Sequence, residues 1–337
     1  MDPISQGIVG AALAQSKAKK NSIIKIGVIG FIAGMAPDLD VLIKSSTDPI
    51  LSLEYHRQFT HSLLFIPFGA MIVALLIFPL IKRSLSFKTV YAASFLGYAT
   101  HGLLDACTSY GTLLYWPLSN ERVTWNSISV VDPLFTIPII VLVLTAMITR
   151  KRLFSFFAIG WMTFYLLLGF VQYERALSVA TELAHSRGHK PERLTLKPSF
   201  GNLILWKSIY QYEERFYVDA IRTTQSSTWC LGESIRMFDY QYHLPNLEKD
   251  SQQRKDIERF RWFSQDYLGF DDDKNLVTDV RYSMIPNQIA PMWGLVIDVK
   301  RGMKEHAIWW TSRGLEQSQL SLFKDMLSGK NCINNQR

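Results

Sequence analysis

Long uncharged runs fill the first half of the chain and are absent from the second. Residues 62–81, 89–104, 133–149 and 153–173 contain no Asp, Glu, Lys or Arg. Their lengths approach the roughly 20 residues that a helix needs to cross a hydrocarbon core at about 1.5 Å per residue. Ahead of them, residues 3–16 read as a short Gly- and Ala-rich helix. A basic turn and a second apolar segment, 23–36, follow, which predicts a helical hairpin ended by Pro37. From residue 174 onward charged, polar and aromatic positions mix. There the pattern predicts a helix over 174–187 stopped by Gly188, amphipathic helices over 251–268 and 315–327, and strands over 203–210, 215–222, 277–284, 293–299 and 307–311, where β-branched and aromatic residues concentrate. The fold expected is a polytopic α-helical membrane domain, residues 1–173, followed by an α+β extracytoplasmic domain with an antiparallel sheet, residues 174–337.

Composition sharpens this division. The 48% hydrophobic content of the 337 residues is ordinary for a soluble protein and hides the two unlike halves. Aromatics at 13% exclude a disordered chain, and three cysteines exclude a disulfide scaffold. The apolar start precedes its basic residues, Lys17, Lys19 and Lys20, which is the reverse of a signal peptide, so the segment is expected to be retained. Lys and Arg cluster in three short loops, 17–25, 82–88 and 150–152. The positive-inside rule places these in the cytoplasm. The expected location is thus the inner (plasma) membrane, multi-pass, with the C-terminal domain outside, where Cys230 and Cys332 can pair. The net charge of +7 is then read as contact with anionic lipid headgroups, so membrane lipids are the expected partners and nucleic acid is not.

The same topology carries Asp38, Asp40, His56, His61, His101, Asp105 and Asp132 to or near the outer ends of their segments. Ionisable residues at membrane depth are functional suspects, and imidazole with carboxylate is a donor set for Zn²⁺ and related ions. His101 and Asp105 stand four apart on one helix face. His56 and His61 are five apart and converge only if a loop or helix start lies between them. Taken singly, each has a bland reading: a membrane His bonded to a neighbouring helix, or Asp38 facing water. Asp132 precedes Pro133 and is either a partner to a metal-bound His or a helix cap; Arg57 either holds an anionic substrate or pairs with Glu54. His185 and His189 read as exposed, and Asp271 to Asp273 as a solvated turn. No nucleophile elbow or phosphate-binding glycine loop is present.

Four blocks then carry a resemblance: Met1 to Gly7 (MDPISQG), Gly34 to Asp40 (GMAPDLD), His56 to Ser62 (HRQFTHS) and His101 to Asp105 (HGLLD). In this order they resemble the YdjM-like family of inner-membrane-associated metal-dependent hydrolases, over about the first 175 residues. The resemblance implies a multi-helix membrane domain with a hydrolytic metal centre, distantly similar to zinc-dependent phospholipase C and P1-type nucleases. Matched by motif, Asp38, Asp40, His56, His61, His101 and Asp105 become candidate ligands. The mechanism expected keeps Asp40, His56, His61, His101 and Asp105 on the metal, leaves Asp38 uncoordinated to accept a proton from water, and has Arg57 steady charge on a phosphate. The family's opening reads Thr-His where this chain carries Ser5 and Gln6, an amide in place of an imidazole. The function expected is metal-dependent hydrolysis, with a divalent ion such as Zn²⁺, of an ester or phosphodiester such as a lipid at the outer interface. The alternatives are a non-catalytic membrane protein with a structural metal and a partner-binding C-terminal domain, or an ion carrier.

Overall fold

The structure, a computed structural model, describes residues 1–314, 316–330 and 332–334. They form two compact units, one of Met1–Ile43, Tyr55–Val171 and Phe200–Asn202, the other of Lys44–Glu54, Gln172–Ser199 and Leu203–Arg337. The helices of the N-terminal half are α1 (Pro3–Gln15), α2 (Ile23–Met35), the short α3 (Leu51–Tyr55), α4 (Ile66–Ile81), α5 (Phe87–Ala106), α6 (Pro133–Thr149) and α7 (Leu153–Ser186). Asp2 starts α1 by accepting from the Ser5 backbone N–H at 3.0 Å, with Pro3 in the first turn where its missing donor costs nothing.

α1 and α2 make the expected hairpin, and α5 packs against both and against α4. The three close at glycines. A Cβ on Gly10 would stand 2.5 Å from the Gly30 carbonyl oxygen and 3.2 Å from Gly97 Cα, and one on Gly97 would collide with Gly30. Such small-residue contacts let helix backbones approach where lipid offers no hydrophobic drive to association. Outward, α4, α6 and α7 present bare apolar side chains; Leu80 is 84% and Ile148 81% exposed, a surface suited to lipid rather than water.

Three described segments are long and apolar enough to cross a membrane, Lys20–Leu42, Leu63–Ile81 and Leu153–Ser186; Pro133–Thr149 is apolar but shorter. α5 is the most polar of the expected crossings because it is enclosed, with Ser94, Thr100, His101 and Asp105 all buried. The sequence pattern suggests separate helices at 153–173 and 174–187. The structure instead has α7 continuous, since the onset of charge at Glu174 changes the surroundings of the helix but contains no Gly or Pro to break it. Asp132 resolves as a cap: its carboxylate accepts from the N–H groups of Leu134 and Phe135 and from the Tyr165 hydroxyl, with no His among these partners.

The C-terminal half is an antiparallel sheet domain. Its elements are β1 (Arg193–Pro198), β2 (Leu205–Tyr212), β3 (Arg215–Thr223), β4 (Ser227–Cys230), β5 (Ser234–Arg236), α8 (Tyr240–His243), α9 (Gln252–Phe263), β6 (Leu268–Asp271), β7 (Leu276–Asp279), β8 (Trp293–Val296), β9 (Ile308–Thr311), α10 (Gln317–Ser328) and β10 (Ile333–Asn334). One sheet runs β1-β2-β3-β4-β10 with β5 also on β3, the other β6-β7-β8-β9. Strand alternation gives the first sheet two buried faces. Leu196, Trp206 and Ile221 pack against Ala176, Val179, Ala180 and Leu183 of α7. On the other face Ile209, Phe216 and Val218 meet Tyr267, Val280 and Ile289. α9 stops at Phe263, short of the expected 268, where Gln265 and Asp266 take positive φ. Leu315, at the expected start of the last helix, lies outside the described residues, and α10 begins behind a capping box on Glu316. Cys230 and Cys332 are disulfide-bonded with Cα atoms 4.3 Å apart, and Cys107 is free and buried.

Two lysines stand opposite each other in the β1–β2 register, Lys197 and Lys207, both buried. Lys207 Nζ donates to Ser283 Oγ and the Gln288 carbonyl, each at 2.7 Å. Burial pushes its ammonium down to about 7 from the ordinary 10.5, against the opposing pull of Glu233 and Asp279. Between those values the unfolded chain binds the extra proton, so this group's contribution to stability rises with pH across that window. In Lys207→Met the melting temperature, relative to the parent, is therefore expected to be most favourable near pH 7 and to lose that advantage as pH rises toward 10. In the membrane unit, Gly97→Leu is expected to destabilise by at least the roughly 1–3 kcal/mol of an overpacked core, read as a lowered melting temperature in detergent.

Candidate metal centre

Pro37 ends α2, and the chain continues as a 3₁₀ turn, Ala36–Leu42, that carries Asp38 and Asp40. Asp40 is buried and Asp38 partly exposed. His56 and His61 are separated by a reversal at Arg57, whose φ is 65°, and by the 3₁₀ turn Phe59–His61, which supplies the loop their spacing demands. That turn presses on α5 at Gly102: a Cβ there would collide with the His61 carbonyl oxygen. Only glycine allows this approach, and it sets His61 beside His101.

All six sequence-predicted donors are brought together. His61 Nε2 and His101 Nε2 face each other at 2.9 Å. Asp38 Oδ1 lies 3.4 Å from the first and 3.3 Å from the second, and Asp105 Oδ2 lies 3.3 and 3.6 Å from them. Alongside, Asp40 Oδ1 is 2.7 Å from His56 Nδ1, and Asp38, Asp40 and His56 form a second group that shares Asp38 with the first.

The outer nitrogens of the two central rings fix their tautomers. His101 Nδ1 donates to the Gly34 carbonyl at 2.6 Å, an atom that can only accept. Thr60 Oγ1 spends its proton on Asp40 Oδ2 at 2.8 Å and so accepts from His61 Nδ1 at 2.9 Å. With both rings neutral, both Nε2 atoms turn a lone pair inward and repel at this distance unless a cation lies among them. A proton on His61, which burial penalises but the hydrogen bonds to Asp105, Asp38 and Asp40 favour, bridges them equally well. Metal-bound His is held by this kind of outer hydrogen bond.

The spacing also fits an ion. Four ligands about 2.0–2.2 Å from a tetrahedral ion stand roughly 3.3–3.6 Å from one another, close to the separations among Asp38, His61, His101 and Asp105. Buried near them, Gln6 Oε1 has no hydrogen-bond partner among the described residues, while its Nε2 donates to Asp105 Oδ1 at 2.8 Å. The residues present thus fit a divalent ion in the four-residue group, and three donors with a partly exposed side in the second.

Arg57 does not pair with Glu54. Its Nε is 3.0 Å from Asp105 Oδ2, one Nη donates to Thr108 Oγ1 at 3.1 Å, and the guanidinium lies over the Tyr110 ring at 4.7 Å. Its backbone N–H also donates to Asp40 Oδ2. Glu54 instead joins Arg259, together with Asp48. Asp48, Asp256 and His306 form a third cluster of metal-ligand type. Arg259 occupies Asp48, while Asp256 accepts from His306 and the Ala307 N–H, so the cluster is an ion-pair network. Thr60, Thr108, Tyr98, whose hydroxyl donates to the Thr60 carbonyl at 2.8 Å, and the Met1 amino group, which lies against Asp105, also border the centre, at positions that the pattern of ionisable residues does not mark. Tyr98 carried a usable signal, three residues before His101 on the same helix face.

The centre and the basic turns lie at opposite ends of the unit. Ile23, Ile81, Phe87, Ala146 and Phe154 pack together at one end, next to the basic loops. The donor cluster sits beyond Gly34 and His101 at the other.

No curated protein and no solved structure matches the chain. The family model described as YdjM inner membrane protein matches residues 1–176, the stretch that holds every donor of the centre, and the chain belongs to the YdjM inner membrane protein family.

Proposed function

We propose that the protein is a membrane-bound metal-dependent hydrolase that cleaves an ester or phosphodiester, with a lipid as the favoured substrate class, at the outer face of the inner membrane. The observation that carries this reading is the pair of inward-facing imidazole Nε2 atoms flanked by Asp38 and Asp105, next to a second, three-donor group that is not closed. A site completed by four protein ligands suits a structural ion, whereas three ligands leave a position for water and substrate. The two groups share Asp38 and so suit neighbouring ions.

Divalent ions bound there supply acidification of a water molecule and polarisation of the scissile oxygen. His61 and His101 hold the buried position. Asp40 orients His61 through Thr60 and holds His56 on the open side. Asp38 and His56 are the partly exposed donors, with side chains 18% and 20% accessible. A water entering from that side would meet the Asp38 carboxylate, to which, where it does not coordinate an ion, we assign acceptance of the proton. Arg57 neutralises Asp105 and provides the cation nearest to negative charge developing on a phosphate. The basic turns, gathered at the opposite end, support the outer placement through the positive-inside rule. The Cys230–Cys332 disulfide supports an extracytoplasmic C-terminal domain.

The alternative, a structural metal in a non-catalytic protein, makes a different forecast. Under the hydrolase reading, purified protein carries up to two divalent ions per chain by elemental analysis. His56→Ala loses one of them and at least about a hundredfold in hydrolysis of a phosphodiester probe, the order expected when a water-activating ion is lost. His101→Ala loses the buried ion as well. One ion per chain, unaffected by His56→Ala and accompanied by no hydrolysis, would leave the structural reading standing. For orientation, a reporter inserted near Ser84 is expected to read as cytoplasmic and one fused after Arg337 as extracytoplasmic; the reverse pattern would overturn the outer-facing site.

A further inference from the structure

At the end of the membrane unit away from the metal centre, two turns separated by about 130 residues of chain face each other. Lys17, Lys19 and Lys20 of the α1–α2 turn and Arg150, Lys151 and Arg152 of the α6–α7 turn surround a cleft of about 690 Å³ floored by Ala18, Ile23 and Leu153. All six cations are exposed. No acidic residue occurs between Asp2 and Asp38 or between Asp132 and Glu174, and none of the six is ion-paired among the described residues. α2 and α7 both begin at the cleft, with no acidic residue in either first turn, so their positive ends add to the field.

Topology alone does not ask for this arrangement. The positive-inside rule is met by Lys and Arg anywhere in a short loop, whereas here two loops converge six like charges on one cavity. Their mutual repulsion is relieved when an anion occupies it. One turn farther along α7 from Leu153 is an apolar groove of about 400 Å³ whose lining includes Pro138, Leu142, Phe157, Gly160 and Phe164. Leu153, Phe157, Gly160 and Phe164 follow one face of α7 at helical spacing. A Cβ added at Gly160 would meet nothing within 4 Å. We propose that the cleft and groove together form a binding site for an anionic phospholipid, with the phosphate headgroup among the six cations and an acyl chain along the α6–α7 groove. Basic pockets between membrane helices on the cytoplasmic side are suited to such headgroups. A free phosphate would satisfy the cations but leave the groove unused.

The test uses the full chain purified in a neutral detergent and titrated with phosphatidylglycerol, phosphatidylcholine or inorganic phosphate. Retained lipid is counted by native mass spectrometry, and melting temperature is followed in parallel. Phosphatidylglycerol is expected to be retained and to raise the melting temperature, whereas phosphatidylcholine does neither. The combined substitutions Lys19→Gln, Lys20→Gln, Lys151→Gln and Arg152→Gln leave Lys17, Lys25, Lys82 and Arg83 to hold the topology. They should weaken phosphatidylglycerol at least about tenfold, given a contribution on the order of 1 kcal/mol for each basic residue near a headgroup. Gly160→Trp fills the groove without touching a charge and should also release the lipid; it decides the matter if the fourfold variant does not fold. Equal retention of both lipids, or retention unchanged in both variants, would overturn the proposal. A full melting shift produced by inorganic phosphate and insensitive to Gly160→Trp would assign the cleft to a soluble anion instead.

Discussion

The membrane unit is organised by the place where α1, α2 and α5 meet without side chains between them. Gly10, Gly30 and Gly97 lie in backbone contact, and each has a member of the centre four residues away on its own helix. Gln6 precedes Gly10, Gly34 follows Gly30 and His101 follows Gly97. Four residues is close to one turn, so groups at the same height as the crossing's next turn share its faces. The hydrogen bonds agree with this geometry: Gln6 Nε2 reaches the His101 carbonyl at 3.4 Å and His101 Nδ1 the Gly34 carbonyl at 2.6 Å. Widening the crossing by one methyl group would separate these three and so shift His101, one of the donors of the centre.

Holding three carboxylates there is expensive, because taking a charge out of water costs several kcal/mol unless it is paired and hydrogen-bonded. The structure answers with unequal partners. Asp105 has Arg57, Gln6 and the Met1 amino group. Asp40 has His56, Thr60 and the Arg57 backbone. Among the described residues Asp38 has the two inward Nε2 atoms, which carry no proton to give it while both rings are neutral, and it is partly exposed. The carboxylate worst provided for is thus the one shared by both donor groups. A divalent cation would satisfy it and lie between the two imidazoles in one step, which is how the donor set suits a metal ion.

Much of this was legible in the sequence because the membrane half obeys few rules. Uncharged length located the helices, and the rarity of ionisable residues inside them made Asp38, Asp40, His61, His101 and Asp105 conspicuous. The loop demanded between His56 and His61 follows from helical periodicity alone. Arg57 was harder to place: its spacing from Glu54 suits a helical ion pair, but the chain reverses at Arg57 itself, and Glu54 lies in the stretch 44–54 that joins the C-terminal unit. α7 was divided because a change in surroundings looks like a change in element. Among the strands, β2 and β3 announce themselves by long β-branched and aromatic runs, whereas β1, β4 and β5 are short or polar and are defined by pairing with residues distant in sequence. Gln6 and Thr60 hold no charge and sit at positions where an amide or hydroxyl is ordinary; only their partners mark them.

Depth connects the two ends of the unit. Lys88 lies in the first turn of α5 and Asp105 in its last, a separation of 17 residues, or about 26 Å of helix at 1.5 Å per residue. A hydrocarbon core is about 30 Å thick. A helix near the bilayer normal with Lys88 at one headgroup layer therefore carries Asp105 to within a few ångströms of the other. On the proposed reading, basic turns holding lipid phosphate would fix the first of these heights, and the glycine crossing would pass it on to the second. The donor cluster would then, on that reading, stand at the level of ester and phosphodiester bonds, not of acyl chains, and the partly exposed side formed by Asp38 and His56 is the side from which such a bond would approach.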